Sequence, residues 1–208
     1  FYLDNILKKI NLNQSANEIL VAPSWTYKYK NFINKNCIEI INELLKKGYN
    51  VTFRPHPEHF KRSFETLTDI KDKFNSYKTF RFDDSSESIK SMERAKCLIT
   101  DTSGIYLEYM LILNRPVLFL DGIDKIHNED YSDYENFVPI EQKFKNQFGI
   151  IFSENEIKNI DQLVENSIKN FYLKIPQLNN LKNNSFFNFG NTIEKFETIL
   201  ENQILGRD

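Results

Sequence analysis

The sequence predicts an α/β fold, a parallel β-sheet with helices on both faces. Short β-branched or aromatic runs alternate along the chain with longer stretches whose apolar residues recur every three to four positions. Most of the short runs are continuously apolar rather than alternating, as strands covered on both faces require. With 208 residues, 40% hydrophobic and 27% charged, the chain is long enough to bury one large core without disulfides or a structural metal.

The first strand is Glu18 to Ala22 (EILVA). Ile33, Cys37, Ile41, Leu44 and Leu45 then form one apolar helical stripe, and Lys46, Lys47 and Gly48 give a basic last turn and a stop. The second strand is Asn50 to Arg54, followed by a polar surface helix from His59 to Phe74 with Phe60, Phe64 and Leu67 on one side. After a third strand, Lys78 to Phe82, Asp84 with Glu87 three residues on resembles a capping box and predicts a short helix through Ala95. The fourth strand, Cys97 to Thr100, leads into Ser103 to Leu113, a helix apolar nearly all round and therefore buried. Pro116 to Leu120 is the fifth strand and Gly149 to Phe152 the sixth. Between them, Asp121 to Asn136 carries six acidic residues with little periodicity and reads as a loop. Amphipathic helices are predicted over Glu156 to Tyr172 and Thr192 to Ile204, separated by an Asn-rich loop from Pro176 to Asn191.

The balance of 27 Lys and Arg against 29 Asp and Glu, a net charge of −2, argues against a nucleic-acid-binding surface. Cys37 and Cys97 form no CxxC pair and lie in apolar runs, so both read as reduced core residues of a cytosolic protein. Three histidines in all disfavour zinc. No apolar run approaches the roughly 18 residues that span a bilayer, and Asp4, Lys8 and Lys9 interrupt the first ten, so neither signal peptide nor anchor is expected. A start at Phe1 rather than Met suggests a trimmed chain or one piece of a longer polypeptide.

Ligands of open parallel sheets bind beyond the carboxyl ends of the strands. After the second strand stands Arg54-Pro55-His56-Pro57. Two prolines stiffen this turn, and a guanidinium beside an imidazole suits a pyrophosphate; a capping histidine in a rigid turn is the alternative. After the fourth strand, Asp101-Thr102-Ser103-Gly104 opens a helix, where backbone N–H groups and hydroxyls can hold an anion or where Thr102 or Ser103 simply caps. Glu108, one turn in, lies within reach of a ribose and is otherwise a surface acid. After the first strand, Ser24 and Thr26 offer donors, Lys28 a mobile cation, and Trp25 a stacking or packing ring. No GxGxxG follows the first strand, and neither GxxxxGK[ST] nor GxSxG occurs. The acidic stretch around Asp130-Tyr131-Ser132-Asp133 lacks a scaffold that would argue for a metal.

Together, APSW after the first strand, RPHP after the second and the run CLITDTSGIYLEYMLILNRPVLFLD resemble the CDP-glycerol glycerophosphotransferase family of teichoic-acid and capsule polymerases and primases. Weaker echoes continue in FGIIFSENEIKNIDQLVENSI and FNFGNT. The resemblance implies a GT-B glycosyltransferase fold, two Rossmann-like domains with the active site between them. Residues 1–208 would be the second, donor-nucleotide-binding domain, with closing helices from about 156. His56 matches the RPHP histidine at the donor pyrophosphate, a catalytic position, with Arg54 beside it. Thr102 and Ser103 match the hydroxyl pair that holds phosphates, Gly104 stands where the family has a second serine, and Glu108 matches an acid at the ribose. The implied reaction moves glycerol phosphate from CDP-glycerol to a polymer or lipid-linked acceptor, with CMP leaving and neither metal nor cofactor needed. The acceptor belongs to the family's other domain, so the isolated chain is expected to bind donor but turn over poorly. A cytoplasmic protein at the inner face of the membrane is implied. The TDTSG turn is also close to that of UDP-N-acetylglucosamine 2-epimerases, so an epimerase or nucleotide-sugar transferase domain stays open, as does a non-catalytic nucleotide sensor.

Overall fold

Six strands, β1 (Glu18–Val21), β2 (Asn50–Phe53), β3 (Phe80–Phe82), β4 (Ala95–Thr100), β5 (Val117–Leu120) and β6 (Ile150–Phe152), form one sheet in the order β3-β2-β1-β4-β5-β6. Every pairing is parallel. This is the doubly wound Rossmann-like order, in which the connections reverse direction between β1 and β4. The computed structural model describes residues 9, 16–25, 32–122, 130, 139–186 and 188–205.

Alternate strand residues feed two cores. Ile19, Val21, Val51, Phe53, Cys97, Ile99, Leu118 and Leu120 face one layer, with α1 (Cys37–Lys46) and α3 (Phe64–Phe74). Leu20, Ala22, Leu98, Val117 and Phe119 face the other, with α4 (Ile89–Arg94), α5 (Ile105–Leu113) and α6 (Ile140–Phe148). The long helix α7 (Ile160–Ser185) serves both. It gives Ile160 and Val164 to the first core and Phe171 and Leu178 to the second. A last helix, α8 (Thr192–Leu205), follows.

All six strands lie where the apolar runs place them, and α1 carries its stripe as expected, entered through a π-helical turn at Phe32–Asn36. The helices depart more. The helix expected over 59–74 is two, α2 (Pro57–Arg62) and α3, broken at Ser63. Pro57 starts α2 early, and the buried face of α3 is Leu67, Ile70 and Phe74, with Phe64 66% exposed. Asp84 caps nothing. The preceding residue, Asp83, accepts the Ser85 N–H and forms the turn, and α4 begins only after Ser88. A capping box does occur at Ser153 and Glu156, opening a 3-10 turn over Glu154–Asn159. Nor do Thr102 and Ser103 cap α5, whose cap position is Gly104.

The loop expected from Pro176 is largely helix. α7 runs through Pro176 to Ser185 because Ile175, Leu178 and Leu181 pack on the second core. The carbonyl deprived of its partner by the proline belongs to Tyr172, whose side chain is 68% exposed, so water can reach it. Helix α6 was not anticipated, although Ile140, Phe144 and Phe148 recur at helical spacing. Residues 1–8 of the leader reading, Thr26 to Lys28, and the acidic stretch apart from Asp121, Gly122 and Asp130 lie outside the described residues.

Both cysteines are buried thiols, as expected. Burial raises Cys37 well above its ordinary pKa and pushes Cys97 up to about 12. No helix among the described residues is long and apolar enough to cross a membrane.

Candidate functional site

The carboxyl ends of β1, β2 and β4 meet at the point where the sheet order reverses. Arg54 N–H donates to the Val21 carbonyl at 2.9 Å, and the Thr100 hydroxyl donates to the Ala22 carbonyl at 2.7 Å. Between these ends lies a cleft of about 330 Å³, lined by Ala22, Pro23, Arg54 to Pro57, Ser88, Ser103, Gly104, Ile105 and Glu108. Of the residues singled out from the sequence, Arg54, His56, Ser103, Gly104 and Glu108 line it, while Ser24 and Thr102 do not.

His56 takes the capping role offered for it and also lines the cleft. Its backbone is extended between Pro55 and Pro57, and Nδ1 accepts the Glu58 N–H at 3.2 Å, capping α2. That bond sets the tautomer. With Nδ1 accepting, the neutral ring carries its hydrogen on Nε2 and acts there as a donor.

Arg54 stands at the cleft wall with its charge already partnered. Nη1 donates to Asp83 Oδ2 at 2.8 Å and to Ser85 Oγ at 3.2 Å, and the ion pair is about nine-tenths buried on each side. Burial pushes the Asp83 carboxyl up, but hydrogen bonds from Ser85, Ser91 and Arg54 outweigh it and hold the group below the usual carboxylate range.

Ser24 is 5% exposed and its hydroxyl is committed elsewhere than to a phosphate. Its N–H donates to Asp101 Oδ1 at 2.8 Å and its Oγ–H to Asp101 Oδ2 at 2.6 Å, with Thr102 Oγ1 3.3 Å away. The pair ties the β1 end to the β4 end. His59, which the sequence reading passed over, completes this tie. It is 3% exposed, Nε2–H donates to the Ser24 carbonyl at 3.1 Å, and Trp25 meets the ring edge-on at 5.1 Å between centroids. Burial holds the His59 ring below its ordinary pKa, so it is neutral. Trp25 therefore packs, with the Arg62 guanidinium 5.8 Å from its ring.

Ser103 and Gly104 lie at the start of α5, where the first backbone N–H groups of a helix favour an anion. Glu108 sits one turn further in, half-buried, on the same wall. The cleft thus brings a guanidinium, the first N–H groups of a helix and a carboxylate to one lining. Among the described residues no cluster of His, Cys, Asp and Glu could hold a metal ion.

A family model described as CDP-Glycerol:Poly(glycerophosphate) glycerophosphotransferase matches residues 3–185. No curated protein matches the sequence. Among solved structures, the wall teichoic acid polymerase TagF is 24% identical over 82% of this chain and 41% of its own, with a TM-score of 0.41. TarM is 16% identical over 91% of this chain and 36% of its own, with a TM-score of 0.52, a likeness of fold. The UDP-GlcNAc 2-epimerase of Methanocaldococcus jannaschii, in complex with UDP-GlcNAc and UDP, is 16% identical over 78% of this chain and 41% of its own, with a TM-score of 0.47. The chain spans about two fifths of the length of these solved structures.

Proposed function

The chain belongs to the CDP-glycerol:poly(glycerophosphate) glycerophosphotransferase family, and on that premise we propose that residues 1–208 are the donor-nucleotide-binding domain of a transferase that moves glycerol phosphate from CDP-glycerol to a polymer acceptor. The observation that carries this reading is the meeting of His56, Arg54 and the start of α5 around one cleft at the β1/β4 reversal.

In the reaction, an acceptor hydroxyl oxygen attacks the β-phosphorus of CDP-glycerol. The new O–P bond forms as the bond from that phosphorus to the bridging oxygen breaks, CMP leaves with that oxygen, and the hydroxyl proton passes to solvent or to a base beside the acceptor. Nε2–H of His56 donates a hydrogen bond to the pyrophosphate and stabilises the charge that CMP carries away, keeping its proton. A base role at Nε2 needs the other tautomer, which gives up the bond from Glu58 N–H. Arg54 and the α5 terminus hold the charge that grows on the phosphates, and Glu108 accepts from the ribose hydroxyls. The reading assigns no metal or cofactor.

The acceptor is held by a further half of a longer protein, in keeping with a chain that spans 41% of TagF. The isolated chain binds donor and turns over poorly, and the whole protein works in the cytoplasm against the inner face of the membrane.

Calorimetric titration with CDP-glycerol, CDP, CMP and UDP tests the reading. CDP is expected to bind more tightly than CMP and UDP, with Ser103→Ala weakening it by about 2–10-fold, the worth of one hydrogen bond, and His56→Ala weakening it with the fold intact. Tighter UDP would move the donor to a nucleotide sugar. Binding of none of the four would sink the donor-domain reading.

A further inference from the structure

Arg54 reaches the cleft wall from the end of β2, but its guanidinium is held from behind, by the end of β3. Among the described residues both of its hydrogen bonds run through Nη1, to Asp83 Oδ2 and Ser85 Oγ. The Asp83 carboxylate is fixed independently of Arg54. Oδ1 accepts both N–H and Oγ–H of Ser85, and Oδ2 also accepts the Ser91 hydroxyl. The Asp83 N–H bonds the Phe53 carbonyl at 2.9 Å, which locks the two strand ends side by side. The acceptor is therefore in place whether or not the arginine is present. Ser88, on the turn that Asp83 organises, stands on the same cleft.

Stability is a poor reason for such a pair. Desolvating two charges costs roughly what their attraction returns, and well-packed apolar residues of the same volume commonly do as well. A pair that lines a cleft on its arginine side alone has a directional use. A long side chain with about 2 kcal/mol of rotamer entropy is held in one orientation before a ligand arrives, through Nη1 and not through Nε or Nη2 among the described residues.

We propose that Asp83 is the positioning residue for Arg54 and sets the preference of the site for a nucleoside diphosphate over a monophosphate. The proposal rests on the donor-nucleotide reading above. The proposal seats the distal phosphate on Arg54, so that preorganising the guanidinium strengthens contacts that a monophosphate lacks.

The test is titration of the whole chain with CDP and with CMP, in wild type, Asp83→Asn, Asp83→Ala, Arg54→Ala and the Arg54→Ala double variants, with circular dichroism confirming the fold. The ratio of CDP to CMP affinity is expected to fall about threefold in D83N, which keeps an oxygen for Nη1, and about tenfold in D83A, with CMP affinity itself nearly constant. In the Arg54→Ala background neither substitution changes the ratio further. An unchanged ratio, an equal loss for both nucleotides, or an additional fall on top of Arg54→Ala overturns the proposal. If D83A does not fold, D83N alone decides. A wild-type chain without preference for CDP over CMP overturns the donor reading itself, before any variant is considered.

Discussion

His59 is the residue whose chemistry is most constrained by its surroundings. It donates to the Ser24 carbonyl, its Nδ1 is buried without a hydrogen-bond partner among the described residues, and desolvation keeps it neutral. The sign of the pH effect follows. The unfolded chain takes up a proton near the ordinary value of 6.5, whereas the folded chain takes it up only at lower pH. The stability that His59 contributes is complete above 6.5 and is lost as pH falls below it towards the depressed folded value. Thermal unfolding followed from pH 7.5 to about 5.5 should show wild type losing more of its melting temperature than His59→Gln, which is less stable throughout but flatter. Parallel profiles would mean that His59 takes up its proton as readily in the folded chain as in the unfolded one.

At the scale of elements, Gly149 shows how a single missing Cβ seats a strand. It links α6 to β6 with an ordinary negative φ, yet a Cβ there would lie 2.4 Å from the Phe119 ring and 2.7 Å from the Lys145 carbonyl oxygen. The need is for close approach, not for an unusual dihedral. Gly149→Ala is expected to destabilise by about 1–3 kcal/mol through overpacking, read as a lower denaturation midpoint at constant m-value. The same distinction between local and distant causes explains what could be read from sequence. Strands were legible because each is a short apolar run that declares itself. Pro176 misled because a proline is a local signal, whereas the packing of Leu178 and Leu181 that overrides it is not. Likewise the RPHP and TDTSG turns mark Arg54, His56, Ser103 and Gly104 within a few residues. The partners that hold the site, Asp83 for Arg54, Asp101 for Ser24 and Ser24 for His59, lie 29, 77 and 35 positions away, and only the strand order brings them together.

Across the whole molecule, order should grade from the centre of the sheet outward. β1 is bonded on both sides by β2 and β4, whereas over residues 192–204 α8 buries none and leaves Phe196 55% and Ile204 79% exposed. In native-state hydrogen exchange the amides of Ile19 to Val21 and of β4 should be among the last to exchange, and those of α8 the first of the helices. Early exchange in β1 would contradict the sheet order. That central place of β1 also has a cost in time. Its partner on one side, β2, is made about thirty residues after it, but β4 follows only once residue 100 has been synthesised. At roughly 5–20 residues per second, one edge of the apolar segment EILV stays open on the ribosome for about 2–10 s after β2 is complete. The cleft, whose lining includes Ser103 and Glu108, is completed later still. The nascent chain must therefore pass through an interval in which a strand destined for the middle of the sheet is an adhesive surface, which is when a holding chaperone would matter most.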